Sequence, residues 1–469
     1  MLSVITGHIG WYGACVGSVL LLKLLLSIPI ARRRQPQLPG QAPDLVTAAI
    51  ITVYNEDPAT LRRCLDSLLA QTRLPQAITV VDDASVDRDA VAVAHSYTAP
   101  FRALGVDYAV IEFTENQGKR HGLAAGFKRS WRADIYMCVD SDTVLAPDAT
   151  EQALRGFADP RVQCVTGLVL ALNRSTNLLT RLIDMRYVNA FLGERVAYSR
   201  LGSVLCACGS LALYRGPVVR RNLTDFLYQD WLFRPAIAGD DRRLTFYCLM
   251  EGRAIIQPAA VAWTAVPERL PHYLRQQTRW TKSFLRESLL MVATSPRRPC
   301  WWLNLIELAT WMLFTGALIV AVATLALQPQ WWALAVSYLA YVCAAAWVRS
   351  LHYMRGAARV PRRERVATFL AAPLYAVMNL VLLVPLRLWA IGTMRDSSWG
   401  TRKRVEVTDA AQPMPEDAGP APASPETAPM LRALSGPRSA ATVEPPAEKP
   451  SVEAPVEPPV APTWARVGA

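Results

Sequence analysis

Apolar residues run almost unbroken over 9–30, 303–327 and 331–348, close to the ~20 residues a membrane-spanning helix needs. Between the first and second runs the pattern changes character. Short apolar runs at 46–53, 78–81, 106–112 and 135–139 alternate with longer amphipathic stretches, the order of an α/β domain with a parallel sheet. Asp57-Pro58 predicts a capped helix start, followed by Leu61, Leu65, Leu68 and Leu69. A helix is expected over 176–198, with Met185, Tyr187 and Phe191 packing it, and a basic amphipathic helix over 268–291. Pro373 and Pro385 interrupt the apolar stretch 366–391, which predicts a broken or re-entrant pair of short helices. From Thr408 the chain is rich in Pro, Ala and Glu, so a disordered tail is expected.

These patterns divide the 469 residues into an N-terminal anchor (1–31), an α/β domain (44–267) and an interfacial helix region (268–300). Transmembrane or re-entrant helices (301–392), a short segment (393–407) and the tail (408–469) follow. Arg32, Arg33 and Arg34 come after the first apolar run and no Ala-x-Ala site appears, so the run reads as an anchor rather than a signal peptide. The positive-inside rule then puts the α/β domain in the cytosol, with Lys23 expected to snorkel toward that side. Hydrophobic residues make up 52% of the chain and formal net charge is +12. The tail carries net −4, so the excess lies upstream, beside the apolar spans. Contact with membrane lipid and nucleotide explains it, and no nucleic-acid motif interleaves with it. Nine cysteines without zinc spacing and five scattered histidines suggest reduced thiols and no metal cage.

Candidate chemistry gathers where strands end, the place ligands bind in open α/β sheets. Asp82-Asp83 follows the second strand, Asn116-Gln117-Gly118-Lys119-Arg120 the third and Asp140-Ser141-Asp142 the fourth. Asp140 and Asp142 are spaced to hold one hard cation with a diphosphate, or to cap a helix near Pro147. Asp82 and Asp83 are ligand contacts or caps of a helix starting near Asp87. Lys119 and Arg120 face phosphates or form a solvated turn, and His121 reads as structural. Downstream, Gly239-Asp240-Asp241-Arg242 suits a loop that pushes an acid into a cleft. Gln276, Arg279 and Trp280 fall at i, i+3 and i+4 on one helical face. An acid for a proton, a guanidinium for a phosphate and an indole for a sugar make a coherent set. The bland alternative is an exposed turn and a basic stripe (Arg275, Arg279, Lys282, Arg286) lying on a membrane. Glu307 is an ionisable group inside an apolar run, hence a pathway or packing candidate.

Residues 46–404 resemble the processive, membrane-embedded family 2 glycosyltransferases, through Val81-Asp82-Asp83, Asp140-Ser141-Asp142, Gly239-Asp240-Asp241-Arg242 and Gln276-x-x-Arg279-Trp280. Within them the hyaluronan branch is matched by the 116–121 segment, by Asn173-Arg174-Ser175-Thr176-Asn177, by 279–287 and by Trp399-Gly400-Thr401-Arg402. The resemblance implies a GT-A-type, Rossmann-like domain inserted between transmembrane helices, in a multi-pass plasma-membrane protein. It implies UDP-GlcNAc and UDP-GlcA as donors and a growing polysaccharide that the chain exports, with a chitin-type synthase using UDP-GlcNAc alone as the other reading. By the same resemblance Asp83 lies near uridine, Lys119 near the nucleotide, and Asp140 and Asp142 hold Mg²⁺ or Mn²⁺. Asp241, beside Asp240, is the implied general base, Arg279 binds pyrophosphate and Trp280 stacks the terminal sugar. Where the family carries Cys-Ser-Gly-Pro by the acceptor, this chain has Ala207-Cys208-Gly209-Ser210, and it has one N-terminal span where bacterial members commonly have two.

Overall fold

The computed structural model describes residues 17–19, 21–27, 42–231, 234–236, 238–325, 331–357 and 359–395. The expected disordered tail, the Trp399–Arg402 motif and most of the N-terminal anchor lie outside them.

Four strands form where the apolar runs place them: β1 (Thr47–Val53), β2 (Ala77–Asp82), β3 (Asp107–Glu112) and β4 (Ile135–Asp140). They are followed by β5 (Thr143–Leu145), β6 (Val162–Ala171), β7 (Ala212–Arg215), the short ribbon β8 (Asp230–Trp231) and β9 (Arg234–Pro235), and β10 (Arg253–Thr264). Eight of these make one sheet in the order β3-β2-β1-β4-β7-β6-β10-β5. The β3-β2-β1-β4 half is parallel, as expected. The other half is mixed, because β7 runs antiparallel to both β4 and β6, and β5 antiparallel to β10.

β1 is buried on both faces, which is why it reads as a continuous apolar run. Ala49, Ile51 and Val53 pack on one side with Leu61, Leu65 and Phe101, and Ala48 and Ile50 on the other with Leu123 and Phe127. The helix Pro58–Leu69 starts as expected, with Asp57 Oδ1 accepting from the amides of Ala59 at 2.7 Å and Thr60 at 3.3 Å. The helix Lys119–Arg129 lies close on β1. A Cβ on Gly126 would stand 2.5 Å from Ile50 Cγ2, so glycine permits the approach that sets Lys119 at the sheet edge.

Only Ser141 and Asp142 join β4 to β5, yet four strand pairings separate them in the sheet. In a flat sheet that gap is about 19 Å, at about 4.8 Å per strand. Three Cα steps reach about 11 Å at most. The sheet therefore curls, bringing the end of β10 round to the end of β4.

Two helical expectations change. The 176–198 helix is Leu178–Val188, a π-helical segment Asn189–Arg195 and Val196–Arg200. The stretch over 366–391 lies in Arg362–Gly392, 31 residues long and apolar enough to cross a membrane by length and composition. It is interrupted beside Pro373 as expected, by a turn at Ala371 between Arg362–Leu370 and Ala372–Met378, but not at Pro385. Pro373 sits in a first helical turn, and a π turn at Asn379–Leu383 precedes Pro385. The wider turn accommodates the ring and the missing amide, so proline marks a bulge there and not a break.

Gly126→Ala should therefore destabilise, against the ~1 kcal/mol that helix propensity alone would add. Overpacking against a central strand typically costs about 1–3 kcal/mol. A thermal melt of the purified variant reads the sign.

Candidate active site

The strand ends open onto one cavity of about 1100 Å³. Its lining includes Asp83, Lys119, Asp140, Asp142, Cys208, Gly209, Ser210, Asp240, Asp241, Gln276, Arg279 and Trp280. Residues from stretches more than 190 positions apart thus share one wall. Asp82 and Arg120 are not in that lining.

Asp83 does not cap a helix. It accepts from the amides of Gln117 at 2.7 Å and Gly118 at 2.8 Å and from Asn116 Nδ2 at 2.9 Å, pinning the loop that carries Lys119. Burial pushes its carboxyl up, and those two amides oppose the shift. Asp82 accepts from the Ser85 amide and from Arg88 Nη1 at 3.0 Å, outside the cavity lining. The nearby helix begins at Asp89 with no side-chain cap. Lys119 forms an ion pair with Asp140. Burial works against its ammonium, but Asp140, Asp241 and Asp240 outweigh burial and hold the pKa up.

Asp140 also accepts from Ser210 Oγ at 3.2 Å, and Asp142 accepts from Thr264 Oγ1 at 3.1 Å. The curl of the sheet makes both contacts, since Thr264 ends β10 and Ser210 precedes β7. Among the described residues no group of three or more His, Cys, Asp or Glu side chains is arranged to hold a metal. Two carboxylates with hydroxyls behind them suit a hard divalent ion that takes its other ligands from a diphosphate.

The helix Asp240–Glu251 starts on the two acids, and Gly239 before it has φ +102°, the left-handed region that favours glycine. Asp240 is buried in an ion pair with Arg120, Nε to Oδ1 at 2.9 Å. Arg120 thus holds the acidic loop from below. Asp241 faces the cavity and accepts from the Gly209 amide at 3.0 Å. A Cβ on Gly209 would stand 2.8 Å from Asp241 Oδ1, so this glycine admits the carboxylate. Burial raises Asp241 to about 6; the Asp140 and Asp240 charges add to the shift, and Lys119 and the Gly209 amide oppose it.

The expected basic helix is Leu270–Thr294, and Gln276, Arg279 and Trp280 all face the cavity. Arg286, expected in an exposed stripe, is buried. Its Nε donates to Glu287 at 2.8 Å and its Nη2 to the Ala238 carbonyl. Arg243 Nε reaches the other Glu287 oxygen at 2.7 Å. This buried cluster ties the acidic loop to the helix carrying Trp280. Asn173 ties the same helix to β6: it donates to the Val266 carbonyl at 2.8 Å and to Glu268 at 2.9 Å, and accepts from the Val266 amide.

Several cavity residues take places that the sequence reading did not give them. Lys23 does not snorkel, since it forms an ion pair with Glu307, which also accepts from Tyr198. Opposite charges in two apolar runs were the available signal. Arg349 pairs with Glu194, which lies in the π segment, lines the cavity and had no local signal. Arg387 lies over Trp311, with 5.3 Å between guanidinium and ring centre, and Arg186 over Trp280 at 5.7 Å. Cys206 and Cys208 both line the cavity.

The family profile described as "Glycosyltransferase like family 2" matches residues 43–283. A hyaluronan synthase of Streptococcus pyogenes is 38% identical over 409 residues, 86% of this chain and 93% of its own length. The chain belongs to the family 2 glycosyltransferases. An N-acetylglucosaminyltransferase of a Rhizobium species is 35% identical over 77% of this chain and 78% of its own length. One from Bradyrhizobium diazoefficiens is 33% identical over 87% and 82%. The solved structure of a Pyrobaculum calidifontis mannosyltransferase in complex with GDP-Man and Mn²⁺ superposes with a TM-score of 0.53 at 21% identity. It covers 81% of this glycosyltransferase and 99% of the mannosyltransferase, a likeness of fold.

Glu287→Ala should unsettle this glycosyltransferase through its two arginines. Removing one partner of a buried ion cluster typically costs about 3–5 kcal/mol. A melting temperature unchanged within error would show that the cluster does not hold the acidic loop to the helix.

Proposed function

We propose that this glycosyltransferase polymerises UDP-GlcNAc and UDP-GlcA into hyaluronan and passes the polymer out through its own chain. The supporting observation is the continuity of the cavity. The wall that holds Asp140, Asp142, Asp241 and Trp280 also holds Glu307, Thr310, Trp311, Tyr341, Asn379 and Arg387. These come from the helices Pro299–Leu325, Trp331–Arg349 and Arg362–Gly392. A polymer with one carboxylate per disaccharide cannot cross hydrocarbon unaided, and this wall offers hydroxyls, rings and cations along a path. The reading places the protein in the plasma membrane as a multi-pass enzyme, catalytic domain in the cytosol.

In the mechanism, Asp140 and Asp142 would hold a Mg²⁺ or Mn²⁺ ion. The bound ion supplies positive charge against the departing UDP. Lys119 and Arg279 add their own charge to the donor diphosphate, and Asp83 keeps the Lys119 loop in place. Trp280 stacks the acceptor sugar. Asp241 takes the proton from the acceptor hydroxyl as that oxygen attacks the anomeric carbon from the face opposite UDP. A single displacement inverts the centre, so an α-linked donor gives a β-linkage without a glycosyl-enzyme intermediate. Asp241 suits the role because it faces the cavity at a raised pKa, and a base titrating near the working pH transfers protons efficiently.

The second reading is a synthase using UDP-GlcNAc alone. The N-acetylglucosaminyltransferases at 35% and 33% identity favour it.

Asp241→Asn should retain UDP binding while synthesis falls by about 10²–10⁴-fold. In the native enzyme kcat/KM should fall as pH drops through about 6, where Asp241 takes up its proton. A limb below 5, or near-normal synthesis by the variant, would move the base elsewhere.

The sugar and the export are tested together in sealed vesicles with the catalytic domain facing out. Polymer should form only when both UDP-sugars are present, resist external hyaluronan lyase until detergent is added, and cease forming in excess EDTA. Polymer from UDP-GlcNAc alone would establish the second reading, and polymer never protected would show synthesis without export.

A further inference from the structure

The cations in the cavity wall are not alike. Lys119 is paired with Asp140, Lys23 with Glu307 and Arg349 with Glu194. Among the described residues Arg186 has no carboxylate at ion-pair distance, and Glu194, whose charge reaches it, is paired with Arg349. The Arg186 guanidinium lies over the Trp280 ring, 5.7 Å from the ring centre, and its charge is felt by the phenols of Tyr375, Tyr273 and Tyr187. Tyr273 and Tyr375 are hydrogen-bonded to one another at 3.0 Å. The helix Leu178–Val188 carries Arg186 into the cavity wall opposite the helix that carries Trp280. A partly buried guanidinium with no ion-pair partner of its own is a ready site for an anion that arrives with the substrate.

The geometry points to Arg186 as the residue that recognises the carboxylate of a uronic acid at the acceptor end of the growing chain. This rests on the hyaluronan reading and assigns it a specificity determinant. A sugar stacked on Trp280 lies beside the Arg186 fork. A guanidinium stacked on an aromatic face keeps its edge N–H groups available for a bidentate contact with a carboxylate. When the terminal sugar is glucuronate, its carboxylate meets that fork. When it is N-acetylglucosamine, only the stacking remains. Arg186 therefore favours the step that adds N-acetylglucosamine to a glucuronate end, and contributes little to the reverse step. The nucleotide end of the cavity has its own cations, Lys119 and Arg279, so this contact is separable from donor binding.

The test uses purified full-length enzyme holding its nascent polymer. Chains are first made from both UDP-sugars, then starved on one so that all ends carry the same sugar, washed, and pulsed with the other UDP-sugar in labelled form. In Arg186→Gln, transfer of N-acetylglucosamine onto glucuronate ends should slow about 10- to 100-fold, the effect of losing a charge-assisted hydrogen bond. Transfer of glucuronate onto N-acetylglucosamine ends should stay within about threefold of the native rate, by the same reasoning. Arg186→Lys, which keeps the charge but not the fork, should fall between, and it carries the test if the glutamine variant does not fold. Equal slowing of both steps would reduce Arg186 to a packing residue, and no slowing of either would remove it from recognition. If the native enzyme never incorporates glucuronate, the hyaluronan reading itself fails and this inference with it. If it incorporates both sugars and the variants slow neither step selectively, the inference alone fails.

Discussion

Two residues, Ser141 and Asp142, carry the chain from β4 to β5 across a gap that a flat sheet would make about 19 Å wide. That short link bends the mixed half of the sheet until β10 ends beside β4. Thr264, the last residue of β10, then reaches Asp142, and Ser210, just before β7, reaches Asp140. The chain leaving β10 passes Val266 and Glu268, both held by Asn173, and enters the helix Leu270–Thr294. Trp280 therefore shares a cavity with the carboxylates of the strand ends because the sheet cannot stay flat.

Buried charge does the fine positioning. Arg120 holds Asp240, and Arg243 and Arg286 converge on Glu287. The Arg120–Asp240 and Arg243–Glu287 pairs span separate elements, as does the Arg286 bond to the Ala238 carbonyl, so each fixes a distance between them. A buried pair contributes little net stability, but breaking one leaves an uncompensated charge, and that sharp penalty keeps the Asp240–Asp241 turn in one register with the Trp280 helix. Asp241 is left at the cavity face with Gly209 against it. Part of the basic excess that composition suggested for lipid contact is spent inside the protein in this way.

Local signals carried much of the architecture. The β1 to β4 runs, the Asp57-Pro58 cap and the helix with Gln276, Arg279 and Trp280 on one face all depend on neighbours within a turn or a strand. What depends on distant pairing was not legible. Asp83 looked like a ligand or a cap, whereas three donors from the 116–118 loop converge on it. Nothing local marks the π segment Asn189–Arg195, which packs on the helix Leu351–Gly356 and on β10. Pro373 and Pro385 both suggested breaks because their cost is local; the chain does interrupt at Ala371 beside Pro373, whereas at Pro385 a π turn keeps the helix continuous. Arg286 lay on a stripe at helical spacing, but its burial is decided by the Ala238 carbonyl and by Glu287 within the fold.

The central claim is that chemistry and exit share one continuous cavity. Cryo-electron microscopy of the enzyme stopped during synthesis, with UDP and Mn²⁺ bound, tests it most directly. Density for a sugar chain should begin on Trp280, within reach of Asp241, and continue between the helices that carry Glu307, Tyr341 and Arg387. A chain that leaves Trp280 along the outer surface of the α/β domain, with no sugar between those helices, would contradict it.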